Sequence, residues 1–482
     1  MLSVLALASF AHAQDLDLDV PVLVPGAVVE VTVTGLGAGE TAHLLRGNGV
    51  AGGPCPGIIG GHCLSITNPQ VQATLTANGV GEASYSLNVP STAPIGLTLG
   101  WQAVAVRGPG GVDSVLSDAV EVEVATLAGP CPVYADPTVS PGGSGAADDP
   151  FPNVAYALEY RDPSCAEVLL YPGTYVEALD FQGASVHVGS VDGPETTIIT
   201  APVGEVVLAN FTNGETEEAQ LSGVTLQCVE ALHETYGVWI SGGAAPTMHD
   251  LVIEGCQTSL YNSLGGGRLS DSVVRGTTTN GGVYLFDSDM SLTRNAMEEV
   301  GLVVYNGTGG VVDGNRISAT SGDVITVLGG SVLFMNNWIE SGDASVGLSL
   351  TSSEGHVLAN NTFIGGDDHA LAFYGDNSAA VVLNNTIETD GGVYTASPAS
   401  LPGDFSSNNI YPDVWAGSTA SHVGLDGNIS AAPLRDDAGH SLWGSALIDA
   451  GADATAHGVL HDMEDTPRPL GLGFDIGALE SF

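Results

Sequence analysis

Three features of the sequence predict an all-β fold, an N-terminal β-sandwich followed by a right-handed parallel β-helix solenoid. Short runs of period-two alternation, separated by Gly- and Pro-bearing turns, fill the first quarter of the chain. Glycine, at 66 of 482 residues, is near twice its usual share of about 7%, so turns are frequent. Beyond these, a unit of about 23 residues repeats through the second half.

Composition narrows the function classes. Nine basic residues, all arginine, stand against 55 acidic ones, a net charge of −46. A polyanion needs a basic footprint, so nucleic acid and anionic membrane surfaces are excluded as partners. With 44% apolar and 13% charged residues, the chain is too hydrophobic for a disordered acidic tail. It is a folded protein with a one-signed surface.

The chain opens with MLSVLALASFAHA, an apolar run ending in small residues, and turns acidic in QDLDLDV. This reads as a signal peptide over residues 1–13, cut after Ala13. No later segment approaches 18 uninterrupted apolar residues, so no membrane span is expected. Six cysteines suit an oxidising compartment. Six thiols allow 15 pairings; spacing favours Cys55 with Cys63 around a loop, Cys131 with Cys165 around a cap, and Cys228 with Cys256 about one repeat apart.

From Val20 to Ala125, runs such as Val29-Glu30-Val31-Thr32-Val33 and Val120-Glu121-Val122-Glu123-Val124 predict antiparallel strands with one wet face. The segment GVGEASYSLNVPSTAPIGLTLGWQAVAVRGPGG and the strand after it resemble the immunoglobulin-like modules of secreted bacterial surface proteins. The sandwich is assigned residues 14–127.

In the repeats, Leu226, Ile253, Val274, Met297, Ile317, Ile339, Phe363, Ile387 and Ile410 each end a short strand, at gaps of 20 to 27 residues. Two positions earlier lies an asparagine in six consecutive repeats: Asn295, Asn315, Asn337, Asn361, Asn385 and Asn408. Asparagine tolerates a left-handed turn, and its amide can donate to one neighbouring coil and accept from another, so an internal ladder is expected. A leucine-rich repeat would place several leucines in each unit, and these units do not. Val, Ile, Leu and Ala are expected to fill the core without aromatics.

Tyr134-Ala135-Asp136-Pro137, the stretch from Asp149 to Leu158 and the run from Glu167 to Glu177 look like an extended segment, a short capping helix and a first coil. Leu447 to Gly451, Pro467-Arg468-Pro469 and Phe474 to Glu480 look like a closing segment. Together these resemble the right-handed parallel β-helix family, the pectate-lyase superfold, as found in bacterial secreted proteins. The resemblance implies a β-helix with its cap over 128–412 and a closing segment over 413–482. It fixes no activity, because one fold hosts many functions.

Gly173 to Glu177 matches the G-x-Y-x-E turn of esterases of this superfold, whose other motifs are absent. Arg268, Arg275, Arg294 and Arg316 sit at different offsets from the apolar column, hence on different faces, unlike the base of a lyase. His457, His461 and Asp462 have a metal-like spacing, but Gly458, Pro467 and Pro469 make the segment a solvated loop.

Turn carboxylates are the remaining candidates. Asp343 lies four residues after Ile339 and Asp367 four after Phe363, with Asp368 and His369 beside it, while Asp323 and Asp390 bracket them less regularly. The segment Gly366 to Ala372, with Asp343 a coil earlier, resembles the acidic constellation of polygalacturonase-type hydrolases. That resemblance implies Asp343, Asp367, Asp368 and His369 as catalytic, one carboxylic acid protonating the leaving oxygen and others activating water. Asp343, Asp367 and Asp390 are the candidate calcium ligands, calcium being the one cofactor considered.

The expected function is that of a non-catalytic, secreted or cell-surface monomer. Its sandwich acts as a spacer, and its β-helix recognises a polysaccharide, a cell-surface glycan or another surface. The alternative is a polysaccharide-degrading enzyme, a hydrolase or a calcium-dependent lyase, working through an acidic groove.

Overall fold

The computed structural model describes residues 16–24, 27–90, 92–94, 96–125, 131–140, 142–202, 204–228, 235–276, 282–342, 346–366 and 368–481. The leader expected over residues 1–13 lies outside them. The chain divides into two compact units, Met1–Cys165 and Ala166–Phe482.

In the first unit, Asp17–Asp19, Val28–Thr34 and Ala83–Asn88 form one antiparallel sheet. Gln70–Thr76, Thr41–Gly47, Thr98–Ala105, Val115–Leu116 and Val120–Glu123 form another. Alternation sets the faces: Val29, Val31 and Val33 are buried, while Glu30 and Thr34 are exposed. Trp101 is fully buried among the second sheet's apolar side chains. A short helix, Val154–Tyr160, is capped by Asn153, whose Oδ1 accepts from the Tyr156 N–H at 2.8 Å. The disulfides are Cys55–Cys63, Cys131–Cys165 and, in the second unit, Cys228–Cys256, the pairings expected from spacing. They suit an oxidising environment. Among the described residues, no helix is long and apolar enough to cross a membrane.

The second unit is a parallel β-solenoid whose coils each contribute strands to three stacked sheets. The first sheet has eleven strands, from Gly173–Val176 to Asn409–Ile410. Its register aligns the whole apolar column from Leu226 to Ile410 and adds Tyr175 and Ile199 below it. The second sheet includes Tyr236–Ile240, Thr258–Ser263, Gly282–Phe286, Leu348–Thr351, Leu371–Tyr374 and Val393–Thr395. The third starts with Glu167–Leu170, His187–Ser190, Gln220–Ser222 and Thr247–His249. The core does contain aromatics: Phe181, Phe211, Phe334, Phe363 and Phe373 are almost fully buried, and Phe181 stacks on Phe211 at 4.5 Å. Phenylalanine has no polar atom to satisfy, so it enters wherever a coil is wide enough.

The asparagine ladder forms between the third and first sheets. From Asn295 to Asn408, each Nδ2 donates to the Oδ1 of the next asparagine at 2.9–3.1 Å, and the column extends to Asn428. Each Oδ1 also accepts the backbone N–H of the asparagine before it. The left-handed residue is not the ladder asparagine but the one preceding it: Arg294, Gly314, Asn336, Asn360, Asn384 and Ser407 have positive φ. Division of labour explains this, because the ladder side chain must point inward while its predecessor turns the corner.

The closing segment packs back on the solenoid. Arg468 and Glu480, both with fully buried side chains, pair at 2.5 Å, and Arg468 Nη2 donates to the Gly477 carbonyl at 2.8 Å. The segment around His461 is a partly exposed loop, as expected, anchored by one buried carboxylate. Asp462 is buried, and its carboxylate accepts the N–H groups of Glu464, Thr466 and Glu480, while His461 lies 3.6 Å from Asp313.

Candidate functional site

The outer face of the second sheet carries a run of partly exposed aromatic side chains and, toward its C-terminal end, a group of titratable ones. Alternation turns Val238 and Ile240 inward and leaves Trp239 outward, and the register carries that position through Tyr261, Tyr284, Val303, Thr326, Ser349, Ala372 and Tyr394. After Asp180 and Asn210, one outward column therefore carries three aromatic residues in succession, runs through small ones to Tyr394 and ends on Ala416.

At the N-terminal end, Trp239 stacks on Tyr261 with centroids 4.5 Å apart, and Tyr236 meets Trp239 edge-on at 4.8 Å. Phe286 continues the run from Tyr261 at 5.5 Å to Tyr305 at 6.0 Å. Such aromatic pairs, across strands or within one, contribute about 0.5–1.5 kcal/mol each. Their mutual stacking occupies part of the ring faces. Tyr305 is 43% exposed, and the others are half-buried.

At the C-terminal end, Ser349 Oγ donates to Asp323 Oδ2 at 2.7 Å. His369 stacks on Tyr394 at 5.1 Å, and Tyr374 lies 5.5 Å from Tyr394. The His369 Nδ1 is 2.9 Å from the Gly391 carbonyl. A carbonyl only accepts, so Nδ1 carries a proton and Nε2 faces the Asp368 carboxylate, 3.6 Å away. Burial raises the Tyr374 hydroxyl above its usual pKa, and Tyr394, Asp323 and Asp368 push it the same way. Tyr374 thus senses carboxylates from both sides.

Of the sequence candidates, Asp368 and His369 come together here, and Asp390 sits in the exposed turn beside Gly391, whose carbonyl holds His369. Asp343 and Asp367 lie outside the described residues. Asp323 proves regular: hydrogen bonds from Val324 to Val346 and from Gly347 to His369 place Asp323 and His369 in one column, two coils or about 10 Å apart. Among the described residues, no three His, Cys, Asp or Glu side chains gather as a metal site. Sequence reasoning missed Tyr374, Tyr394, Ser349 and the aromatic run. Its visible trace is the ring recurring in YGVWI, TSLYNS, GVYLF and GLVVY, which becomes a column only once the register is known.

A family model described as right handed beta helix region matches residues 209–387 and 281–422. No curated protein matches the sequence. Among solved structures, the A-module of the mannuronan C-5 epimerase AlgE6 from Azotobacter vinelandii is similar at 12% identity and a TM-score of 0.29, over 55% of this chain and 91% of its own. The catalytic domain of a GH87 alpha-1,3-glucanase in complex with nigerose is similar at 11% identity and a TM-score of 0.30, over 84% and 89%. No activity of this chain follows from likeness at that level.

Proposed function

We propose that this is an exported β-helix protein that recognises a neutral glycan, without cleaving it, along the outer face of its second sheet, with the N-terminal sheets acting as a spacer. The observation that carries this reading is the run Trp239, Tyr261 and Tyr284, flanked by Tyr236, Phe286 and Tyr305. With coils about 4.8 Å apart, the run extends some 14 Å from the Trp239 coil to that of Tyr305. Half-exposed tyrosine and tryptophan combine an apolar body with a hydrogen-bonding tip, the chemistry a sugar ring presents in reverse. The charge of −46 repels polyanions, which favours a neutral glycan over an acidic one.

Affinity electrophoresis against a panel of neutral polysaccharides tests this. A positive polysaccharide should lose about ten-fold or more in affinity with Trp239→Ala plus Tyr261→Ala, as expected for aromatic anchors. Failure of the whole panel, or unchanged affinity in the folded double variant, removes the reading. A second reading, polysaccharide cleavage, draws on the gathering of Asp323, Asp368, His369, Tyr374 and Tyr394. The same incubations, with and without calcium, are to be assayed for new reducing ends and unsaturated products. Products lost in His369→Ala would replace binding with catalysis.

A further inference from the structure

On the third sheet, a different face of the solenoid, four consecutive strands bring together a serine, two histidines and a glutamate. The register sets Glu167 beside His187, and Gly189 beside Ser222 and then His249. The His187 ring reaches across to the next coil, with Nε2 2.7 Å from Ser222 Oγ. It can do so because residue 189 has no side chain: a Cβ there would lie 2.8 Å from His187 Nε2 and 3.1 Å from Ser222 Oγ. On the ring's other side, Nδ1 is 4.0 Å from Glu167 Oε1. The His249 ring lies nearly parallel to that of His187 at 6.3 Å, and its Nδ1 is 2.8 Å from Asp250 Oδ2.

We propose that Ser222 is a nucleophile activated by His187 and that this group hydrolyses carboxylic esters on the outer face of the third sheet. Glu167 is a positioning residue: its carboxylate favours the tautomer with the proton on Nδ1, which leaves Nε2 free to accept from Ser222. Burial, the largest influence on His187, holds the imidazole below its usual pKa, with Glu167 opposing and His249 assisting, so it is neutral at pH 7 and able to act as a base. The His187 side chain is 30% exposed and Ser222 beside it 7%, so an ester's carbonyl would approach Ser222 along the His187 side. In the reaction, Ser222 Oγ bonds to the carbonyl carbon while its proton passes to His187 Nε2. The alcohol then leaves, taking that proton. Water next attacks the acyl-serine, giving a proton to the same nitrogen; the acid departs and Ser222 recovers its hydrogen. His249, held by Asp250, lies alongside the reacting pair. This inference does not rest on the glycan reading, which concerns the second sheet.

The test uses the full chain with a fluorophosphonate probe, the adduct being mapped by peptide mass, and with p-nitrophenyl acetate as ester. The expected result is covalent labelling of Ser222, and hydrolysis reduced about 100-fold or more in Ser222→Ala and in His187→Ala. Both variants alter outward-facing side chains, and circular dichroism melts verify their fold. Glu167→Gln should move the midpoint of the pH–rate profile downward, since the carboxylate supports the imidazolium. Absence of a Ser222 adduct in the unaltered protein, or hydrolysis unchanged by Ser222→Ala, overturns the proposal. An unmoved midpoint in Glu167→Gln overturns the positioning role.

Discussion

Asn384 exchanges two hydrogen bonds with the backbone of Ala452: its Nδ2 donates to the carbonyl and its Oδ1 accepts from the N–H, both at 2.8 Å. Its sequence neighbour Asn385 belongs to the buried ladder. The doublets Asn336-Asn337, Asn360-Asn361 and Asn384-Asn385 therefore do two jobs. The first residue turns the corner at positive φ, and in two of the three doublets it also ties down the closing segment, as Asn360 does through Nδ2 to the Asp475 carbonyl at 2.9 Å. The second residue links one coil to the next.

The two columns should respond differently to truncation. Asn361→Ala strands the N–H of Asn337 and one of its two Nδ2 hydrogens, both of which donate to Asn361 Oδ1 inside the wall, while the other stays on the Val312 carbonyl. With about 1–3 kcal/mol for each buried group left unpaired, denaturant unfolding should show a loss of at least about 2 kcal/mol. Asn384→Ala should cost about 1–2 kcal/mol and make residues 413–482 the first region cut in limited proteolysis. Equal effects of the two substitutions on global unfolding would mean that the closing segment and the solenoid unfold as one.

Much of this architecture was legible in advance, and the reason is physical. A solenoid repeats one local solution, so the apolar column and the ladder recur at nearly constant spacing and survive in the sequence as periods. The corner-turning column was missed because its members vary among Arg294, Gly314, Asn336 and Ser407, all sharing a backbone conformation rather than a chemistry. The faces were harder still. Tyr284 and Tyr394 occupy one column separated by Val303, Thr326, Ser349 and Ala372, and variable turn lengths hide such a relationship until strands are paired. Counting offsets from the first sheet was enough to single out His369 and Asp368, but not their tyrosine neighbours on the next strands.

Stability should fall as the solution is brought from about pH 4 to about pH 6. Burial pushes the Asp475 carboxyl up to about 6, against the opposing hydrogen bond from the Asp449 N–H, and burial shifts Asp313 and Glu388 in the same direction. In the unfolded chain a carboxyl titrates near 4, so between these values the folded state holds more protons. The stabilisation is complete below the unfolded pKa and is lost as pH rises through the folded one. Urea midpoints across this window should decline, with a shallower slope in Asp475→Asn. A midpoint that climbs over the same range would contradict the assignment.

The Cys228–Cys256 disulfide spans 28 residues and joins strands paired in the first sheet, Thr225–Gln227 and Val252–Glu254. Closing a loop of this size in the unfolded chain is worth about 3–4 kcal/mol. Replacing both cysteines by serine should lower unfolding free energy by up to that amount while leaving the circular dichroism spectrum unchanged. A loss well under 1 kcal/mol would mean that the coils already hold these ends together in the unfolded ensemble.

Salt should stabilise this protein rather than weaken it. Two electrostatic effects compete. Arg275 pairs with Glu254 and Glu298, and Arg316 with Glu340, all on the surface, where salt screens contacts worth about 0–1 kcal/mol each. Arg107, Arg294, Arg435 and Arg468 are likewise committed, to Glu40, Asp271, Glu388 and Glu480. Six of the nine basic residues are thus already paired, and the 46 surplus negative charges must be accommodated by solvent and counterions. Raising ionic strength from 0.1 to 1 M shortens the screening length from about 10 to about 3 Å, which relieves repulsion between coils more than it weakens a few exposed pairs. The melting temperature should therefore rise steadily with sodium chloride, and a flat or falling trace would show that the acidic surface is not under strain. Calcium and magnesium at equal millimolar concentration separate screening from binding: equal gains mean screening alone, and an excess with calcium assigns a bound ion, to be sought first at the exposed turn of Asp390 by its loss in Asp390→Asn.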